Sequence, residues 1–219
     1  LYRDGVEMPE DSYHGDDIVE HAKNFAAIHG DKYMSAPEEE RRKALVEYAL
    51  PINIKNLETD LAKYRIHYDR WFKESSLHAD GSVDKVIKLL KEKGHTYEAE
   101  GATWFKATEF GADKDFVLVR SNGFPTYIVP DIAYHYDKLV TRGYDKAINV
   151  LGADHHGYVA RMKAALQAIG IDPSRLDVVL MQMVNLVRDG QIIKASKRSG
   201  KAITLVTLLE EIPVDAARF

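Results

Sequence analysis

Two apolar runs separated by an amphipathic segment constrain the fold of this chain more than any other feature. Residues 147–152 (AINVLG) and 177–187 (DVVLMQMVNLV) are continuous apolar runs, which are typical of buried parallel strands. Residues 157–169 between them have helical periodicity. A strand, a helix and a second strand in this order predict a parallel βαβ crossover and an α/β fold. Ligands of such sheets bind beyond the carboxyl ends of the strands, here after Leu151 and after Met183.

The remaining segments have other patterns. Residues 1–63 have mainly helical periodicity, whereas residues 64–72 predict a strand and residues 82–93 a helix. Residues 95–125 are rich in aromatic and β-branched residues between glycines, which is typical of a small antiparallel insertion. The chain is therefore predicted to consist of five segments, namely 1–63, 64–94, 95–125, 126–188 and 189–219.

Composition excludes several classes of protein. With 219 residues, 45% apolar and 29% charged, the chain has ordinary globular composition, which excludes collagen-like, low-complexity and disordered proteins. The absence of cysteine excludes disulfides, thiolate metal sites and thiol nucleophiles, and it favours a reducing, cytoplasmic compartment. No apolar run approaches the ~18 residues that span a bilayer, so we expect no membrane association.

A polar segment, G-A-D-H-H-G at residues 152–157, follows the first buried strand and opens the predicted helix. A glycine there lets the backbone approach a ligand, and the carboxylate of Asp154 can hold ribose hydroxyls. Imidazoles near a helix N-terminus can stack on a base, donate to phosphate or bind a metal. An aspartate that caps the helix beside two partly buried histidines is the structural alternative. The segment alone leaves these interpretations open.

A second polar segment, K-A-S-K-R at residues 194–198, lies in the basic loop that precedes the last predicted helix. Three cations and a hydroxyl within five residues can clamp a phosphate through point charges and a guanidinium fork. A solvated hairpin tip is the alternative for a charge run of this kind. The position of the segment after a strand that follows G-A-D-H-H-G favours the phosphate site.

A third segment, residues 126–138 (TYIVPDIAYHYDK), combines a carboxylate with phenols and an imidazole. Pro130 is predicted to start a helix, which places Asp131 in its first turn and Tyr134 and His135 on roughly the same face. A carboxylate flanked by phenols is a natural receptor for a guanidinium or ammonium group. An ordinary first-turn aspartate, favoured by the helix dipole, is the alternative.

These segments, in this order and spacing, resemble those of the class I arginyl-tRNA synthetases. The resemblance spans nearly the whole chain. The residues that carry it are YHGDDIVEHA (13–22), WFKESSL (71–77), YIVPDIAYH (127–135), GADHHGY (152–158), RMKAAL (161–166), QMVNLV (182–187) and KASKR (194–198). The resemblance implies a Rossmann-type catalytic domain with parallel strands, a helical N-terminal region and a small antiparallel β insertion.

The family has two ATP signatures, an H-x-G-H-like motif and a K-M-S-K-S-like motif. The second is present with Ala195 in the methionine place and Arg198 in the final serine place, whereas no H-x-G-H occurs in the 219 residues. We therefore expect residues 1–219 to be an interior piece of the catalytic domain that lacks the upstream motif and the anticodon-binding domain. Such a piece is expected to be inactive by itself.

The resemblance implies an arginine-tRNA ligase, which activates L-arginine with ATP to arginyl-adenylate and transfers it to tRNA(Arg). The implied partners are therefore tRNA(Arg), L-arginine and ATP, with Mg²⁺ accompanying the ATP and no structural metal bound by the protein. Tyr127 and Asp131 match the positions that receive the arginine side chain, and Asp131 would accept the guanidinium. Tyr134 and His135 are assigned to the same arginine site.

The resemblance also implies residues for ATP and for catalysis. Lys194 and Lys197 match the loop lysines that neutralise charge on the triphosphate while the arginine carboxylate attacks the α-phosphorus. The implied ATP-binding residues are Gly152, Asp154, His155, His156, Met183, Val184 and Ser196.

Two other functions fit parts of the pattern. The D-H-H triplet is similar to the ligands of metal-dependent phosphoesterases, but such sites need further aspartates, and the chain has no clear D-x-D element. A synthetase-like module that binds tRNA or a nucleotide without charging is the second alternative. The intact Asp131, Asp154, Lys194 and Lys197 argue against it.

Overall fold

The chain forms two compact units, which we call the helical unit (residues 1–70 and 185–219) and the α/β unit (residues 71–184). The computed structural model describes residues 15–182, 184–188, 190–192 and 204–219. Within this described part, none of the helices combines the length and the apolar character that crossing a membrane requires.

The helical unit is built on two long helices, α1 (Asp16–His29) and α2 (Glu38–Lys63). Three glutamates in the first turn of α2 complement the helix dipole. Phe25 is buried and its ring lies 5.5 Å from that of Tyr48. The unit also contains a short antiparallel pair and two further helices, namely β6 (Val187–Arg188), β7 (Gln191–Ile192), α7 (Leu205–Glu211) and α8 (Val214–Arg218). The predicted helical N-terminal region is thus confirmed from residue 16 onward.

The α/β unit combines a small antiparallel sheet with a parallel crossover. Its helices are α3 (Ser75–Ala79), α4 (Ser82–Glu92), α5 (Ile128–Tyr136) and α6 (His156–Ala168). Its strands are β1 (Thr96–Ala99), β2 (Ala102–Phe105), β3 (Phe116–Val119), β4 (Ala147–Gly152) and β5 (Leu176–Met181). Strands β1, β2 and β3 pair antiparallel in that order, which confirms the predicted insertion.

The predicted crossover is confirmed by the pairing of β4 with β5. The two strands are parallel and in register from Ala147 opposite Leu176 to Gly152 opposite Met181. One face of this pair lies on the core, because Ala147 and Leu176 are buried with α6. The other face is apolar and exposed, since Val150 is mostly accessible. Parallel strands are normally covered on both faces, so this exposed face marks a surface available to further contacts.

Two strand predictions are wrong. Residues 64–72 alternate like a strand, yet they form no strand and pair with none of the strands in the described part of the chain. The second predicted strand, 177–187, extends too far along the chain, since β5 ends at Met181. The polar Gln182 follows directly and is exposed, and Val187 belongs to a different antiparallel pair. Alternation and apolar character therefore predict strands only where a partner strand continues.

The core of the α/β unit lies between α4, α5, α6 and the antiparallel sheet. Its largest fully buried side chains come from several of these elements, namely Leu90, Phe105, Leu118, Ile132, Met162, Leu166 and Leu176. Helix α5 starts two residues before the predicted Pro130 and passes at Asp137 into a π-helical turn that ends at Thr141. Such turns are frequent next to functional sites. Because the core fixes α5 firmly, the polar side chains on its outer face have defined positions.

Candidate active site

An open cleft of about 720 Å³ lies in the α/β unit along β3, α5, β4 and the beginning of α6. Its lining combines apolar walls with convergent polar groups, as ligand sites usually do. The polar side chains that line it are Thr126, Tyr127, Asp131, Tyr134, His135, Lys138, Asn149, His155, Tyr158 and Arg161. All four residues predicted to bind arginine are in this set. Of the predicted ATP-binding residues that the structure describes, His155 alone is in it.

Asp131 is the acidic group of the cleft, and it is half-buried in the first turn of α5. Burial raises the pKa of its carboxyl, and the nearby charge of Glu74 raises it further. A hydrogen bond from the Tyr158 hydroxyl and the charges of Lys138 and His155 oppose this increase in pKa. The cleft therefore holds a partly dehydrated carboxylate, which gains more from a cationic ligand than an exposed carboxylate would.

Tyr158 and Tyr127 line the cleft together with Asp131, but their phenol groups differ in burial and in their contacts. The Tyr158 hydroxyl donates to the Asp131 carboxylate, and burial together with this carboxylate raises the pKa of the phenol well above its usual value. Tyr158 therefore stays a neutral donor. Tyr127, directly before α5, is 85% exposed, and its ring lies 5.9 Å from the Arg120 guanidinium carbon. One phenol thus holds the carboxylate and the other is free to contact a ligand.

His135 is connected to its surroundings through both ring nitrogens. Its side chain is 2% exposed, Nδ1 lies 2.7 Å from the backbone oxygen of Asp131, and Nε2 lies 2.9 Å from Nδ2 of Asn149. On the other side of Asn149, Lys138 Nζ donates to Oδ1 at 3.3 Å. The structure therefore gives His135 a supporting position beneath Asp131, and its predicted contact with a ligand stays a prediction.

Tyr134 is held in an aromatic and cationic stack. Its ring stacks on Phe72 at 4.1 Å between centroids, and Lys138 Nζ lies 4.5 Å from the ring centroid. The guanidinium carbon of Arg142 lies 5.6 Å from the same ring, and Arg142 Nε lies 2.8 Å from an Asp137 carboxylate oxygen. We call the cleft residues on α5 and its π turn, with Asn149 of β4, the α5 subsite.

The turn between β4 and α6, residues 152–156, carries the G-A-D-H-H motif and is built differently. The backbone of Gly152 lies under the Asp154 carboxylate, so that a Cβ there would stand 2.6 Å from Oδ1. The Asp154 side chain is 83% exposed, and Nε2 of His155 lies 3.9 Å from its Oδ1. His156 is the first residue of α6 and is also exposed. We call this segment the β4–α6 turn.

The metal-site interpretation of the D-H-H triplet requires a cluster of ligand side chains. Within the described residues, no group of three or more histidine, aspartate or glutamate side chains could hold a metal ion.

Several predicted residues lie outside the described part or outside the cleft. Met183, Lys194, Ser196 and Lys197 are not among the described residues, so their predicted roles stay predictions. Val184 is 82% exposed and does not line the cleft.

Sequence reasoning missed four polar groups of the site. Tyr158 and Lys138 lie within the quoted motifs, at the ends of GADHHGY and of residues 126–138, but neither was given a role. Asn149 had a recognisable signal, because it is the one polar side chain in the apolar run AINVLG. Glu74, directly before α3, acts on the pKa of Asp131 from a distant part of the sequence. It lies within the quoted segment WFKESSL, but nothing in that segment indicates its effect on Asp131.

The comparisons with known proteins agree in one family. Residues 9–218 match the family model described as tRNA synthetases class I (R), catalytic domain. An arginine–tRNA ligase of Caldanaerobacter subterraneus is 62% identical over 98% of the chain, and one of Ruminiclostridium cellulolyticum is 54% identical over 99%. The chain spans 38% of the length of each of these curated relatives.

Solved structures share the fold. A Campylobacter jejuni protein provisionally named arginyl-tRNA synthetase superposes with a TM-score of 0.87 at 36% identity, covering 99% of this chain and 46% of that one. The arginyl-tRNA synthetase of Thermus thermophilus superposes with a TM-score of 0.65 at 22% identity over 94% of this chain and 41% of its own. The second likeness shows the fold alone.

Proposed function

Because the chain belongs to the class I (R) family of tRNA synthetase catalytic domains, we propose that it supplies part of the catalytic centre of an arginine–tRNA ligase. The reaction would activate L-arginine with ATP to arginyl-adenylate and then transfer the arginyl group to tRNA(Arg). The names of the relatives support this proposal, and so does the chemistry of the cleft. The chain spans little more than a third of those relatives, so the activity is proposed for the complete gene product that contains it.

The observation that carries the proposal is the Asp131 carboxylate in the α5 subsite. A carboxylate offers two coplanar oxygens, which match the fork of a guanidinium group. Burial and the charge of Glu74 raise the pKa of Asp131, so its ionised form is short of compensating positive charge. An arginine side chain would supply that charge, while the exposed Tyr127 could cover it from the solvent side. Lysine would leave part of the planar acceptor unpaired, which accounts for discrimination between the two amino acids.

The chemical step requires positioning and charge stabilisation and no covalent intermediate on the enzyme. The arginine carboxylate would attack the α-phosphorus of ATP, and pyrophosphate would leave. A hydroxyl of the terminal tRNA ribose would then attack the activated carbonyl, and AMP would leave. Mg²⁺ would enter with the phosphates of ATP as part of that substrate. Lys194 and Lys197 would neutralise the charge that develops on the triphosphate.

The nucleotide would occupy the end of the sheet at the β4–α6 turn. Gly152 would allow close backbone approach, and the exposed Asp154 carboxylate would accept hydrogen bonds from ribose hydroxyls. His155, His156, Met183, Val184 and Ser196 complete the proposed ATP site. The cytoplasmic location of the protein also stays a prediction.

The experiment that tests this function is tRNA charging by the complete gene product. ATP, Mg²⁺ and total tRNA are supplied with each of the twenty amino acids separately. Incorporation of arginine alone is the expected result. Incorporation of another amino acid would contradict the arginine assignment, and no incorporation of any would favour a module that binds tRNA or nucleotide without charging.

A further inference from the structure

Three side chains beneath Asp131 form a continuous chain of hydrogen bonds that the proposed reaction does not use directly. His135 Nδ1 lies 2.7 Å from the backbone oxygen of Asp131, and its Nε2 lies 2.9 Å from Asn149 Nδ2. Lys138 Nζ closes the chain at 3.3 Å from Asn149 Oδ1. The connection joins α5, β4 and the π-helical turn within one unit.

The direction of these hydrogen bonds is fixed by chemistry. A backbone oxygen can only accept, so Nδ1 of His135 carries the proton and Nε2 accepts from the Asn149 amide. The amide oxygen then accepts from the Lys138 ammonium. Burial, together with the charge of Lys138, lowers the pKa of His135 to about 4. The imidazole is therefore neutral at physiological pH, and a single tautomer satisfies all three contacts.

Both ends of this series of hydrogen bonds act on Asp131. At one end His135 binds the Asp131 backbone, which fixes the first turn of α5. At the other end the Lys138 ammonium is close enough for mutual charge effects. Burial raises the pKa of Asp131, and the charge of Lys138 opposes that increase. Burial and the charge of Arg142 lower the pKa of Lys138 to about 8, and the charge of Asp131 opposes that decrease. A link that holds the backbone of a carboxylate and places a cation beside its side chain controls both its orientation and its charge.

We propose that His135, Asn149 and Lys138 are positioning residues that set the orientation and ionisation of Asp131 and thereby the affinity of the α5 subsite for a guanidinium group. This inference rests on the proposed function, since the guanidinium is that of arginine. His135 acts in it through Asp131 rather than by touching the ligand. Asn149 is the central member, because its amide contacts both of the other side chains.

The test replaces Asn149 with leucine, which has the same branching of side-chain heavy atoms and removes both hydrogen bonds. The chain offers a matched control in the helical unit, where Asn53 Oδ1 lies 2.7 Å from His21 Nε2. Asn53→Leu removes a similar pair without touching the cleft. In steady-state charging by the complete gene product, Asn149→Leu is expected to raise the KM for arginine about tenfold and leave that for ATP unchanged. Asn53→Leu should change neither KM.

A second variant keeps the test decisive if Asn149→Leu does not fold. Asn149→Asp is nearly isosteric and still accepts from Lys138, but it can face Nε2 of His135 only when that nitrogen is protonated. The charged groups around His135 are then Asp131, Lys138 and the new carboxylate. The ratio of its arginine KM to that of the unaltered protein should fall as the pH is lowered from 7 to 5.5, a range that lies below the pKa of about 8 of Lys138. A ratio independent of pH would overturn the inference.

Charging kinetics of Asp131→Asn, measured alongside, distinguish a failure of the positioning role from a failure of the proposed arginine site. If Asp131→Asn raises the KM for arginine while Asn149→Leu, like Asn53→Leu, leaves it unchanged, the positioning role is wrong and the proposed arginine site stands. If Asn149→Leu raises the KM for arginine and for ATP together, its effect is general and the positioning role is also wrong. If Asp131→Asn leaves arginine unaffected, the proposed arginine site itself fails, and the inference fails with it.

Discussion

The α5 subsite and the β4–α6 turn lie in the same unit but are prepared for ligands to different degrees. In the α5 subsite, His135 is 2% exposed, and the backbone and carboxylate of Asp131 are both held by neighbouring side chains. In the turn, the Asp154 side chain is 83% exposed, and Nε2 of His155 lies 3.9 Å from its Oδ1. The chain thus holds the α5 subsite in place through its own contacts, whereas the proposed nucleotide site at the turn has few such contacts.

The difference has an energetic explanation. Holding a half-buried carboxylate costs stability in the free protein, and a cationic ligand recovers that cost when it binds. An exposed aspartate costs little and gains little until a ligand orders it. Changes in the α5 subsite should therefore affect arginine selectively and strongly, and changes in the turn should affect ATP more weakly.

The largest effect is expected from Asp131→Asn, which keeps the shape of the side chain and removes its charge. Truncating one partner of a buried charge pair costs about 2–5 kcal/mol, so kcat/KM for arginine should fall at least about thirtyfold. The KM for ATP should stay within twofold, as charging kinetics with each substrate varied will show. Equal losses for arginine and ATP would break the distinction between the two regions.

The same substitution should leave the fold intact or stabilise it. The folded-state pKa of Asp131 is raised, so the ionised carboxyl disfavours the folded state once the pH exceeds its ordinary value, and this cost is complete above the raised pKa. Removing it should therefore increase the free energy of unfolding at neutral pH, as urea titration can measure. A less stable variant would mean that the carboxylate serves the fold rather than a ligand.

The second effect concerns the titration of His135. Its folded-state pKa of about 4 lies below the unfolded value of 6.5, so its contribution to stability is complete above pH 6.5 and is lost as the pH falls toward 4. Full loss corresponds to about 3 kcal/mol. Urea unfolding between pH 7 and 4.5 should show this loss, and His135→Gln should reduce the slope. The matched variant in the turn, His156→Gln, alters an exposed side chain and should leave the slope unchanged.

The third prediction turns to the nucleotide. Asp154→Asn removes the charged acceptor of the β4–α6 turn and should raise the KM for ATP by about tenfold, since hydrogen bonds to charged groups contribute about 1.5–3 kcal/mol. Arginine affinity should not change. A larger effect on arginine than on ATP would show that the two regions are not separate sites.

The smallest effect is expected at Gly152. A Cβ at this position would stand 2.6 Å from Asp154 Oδ1 and would displace the carboxylate, so Gly152→Ala should raise the KM for ATP a few fold. Gly157→Ala is the matched control, because a Cβ there meets no atom within 4 Å. Equal KM values for ATP in the two variants would rule out a role for the Gly152–Asp154 contact.

The sequence predicts those features that local patterns encode. The crossover follows from the apolar run of β4 and the helical periodicity of α6, and the cleft residues Tyr127 and Asp131 follow from their motif. The false strand over 64–72 shows the limit, because strand formation needs a partner edge that no local pattern can supply.

The rest of the site depends on tertiary contacts. Glu74 affects the pKa of Asp131 from 57 residues away in the sequence, and Asn149 meets His135 only because β4 lies beside α5. The burial that changes the pKa of Asp131 and His135 is likewise a property of the assembled core. Motifs can therefore identify the residues that contact ligands, but they do not identify the side chains that hold those residues in place.

The most direct test of the arginine site changes the ligand and the protein together. Citrulline has nearly the shape of arginine without its charge, so competition between the two in charging assays measures how the α5 subsite reads a guanidinium group. The complete gene product should prefer arginine strongly, and Asp131→Asn should reduce that preference at least about tenfold, because the guanidinium then lacks its charged partner. An unchanged preference in Asp131→Asn would contradict the assignment of Asp131 as the guanidinium acceptor.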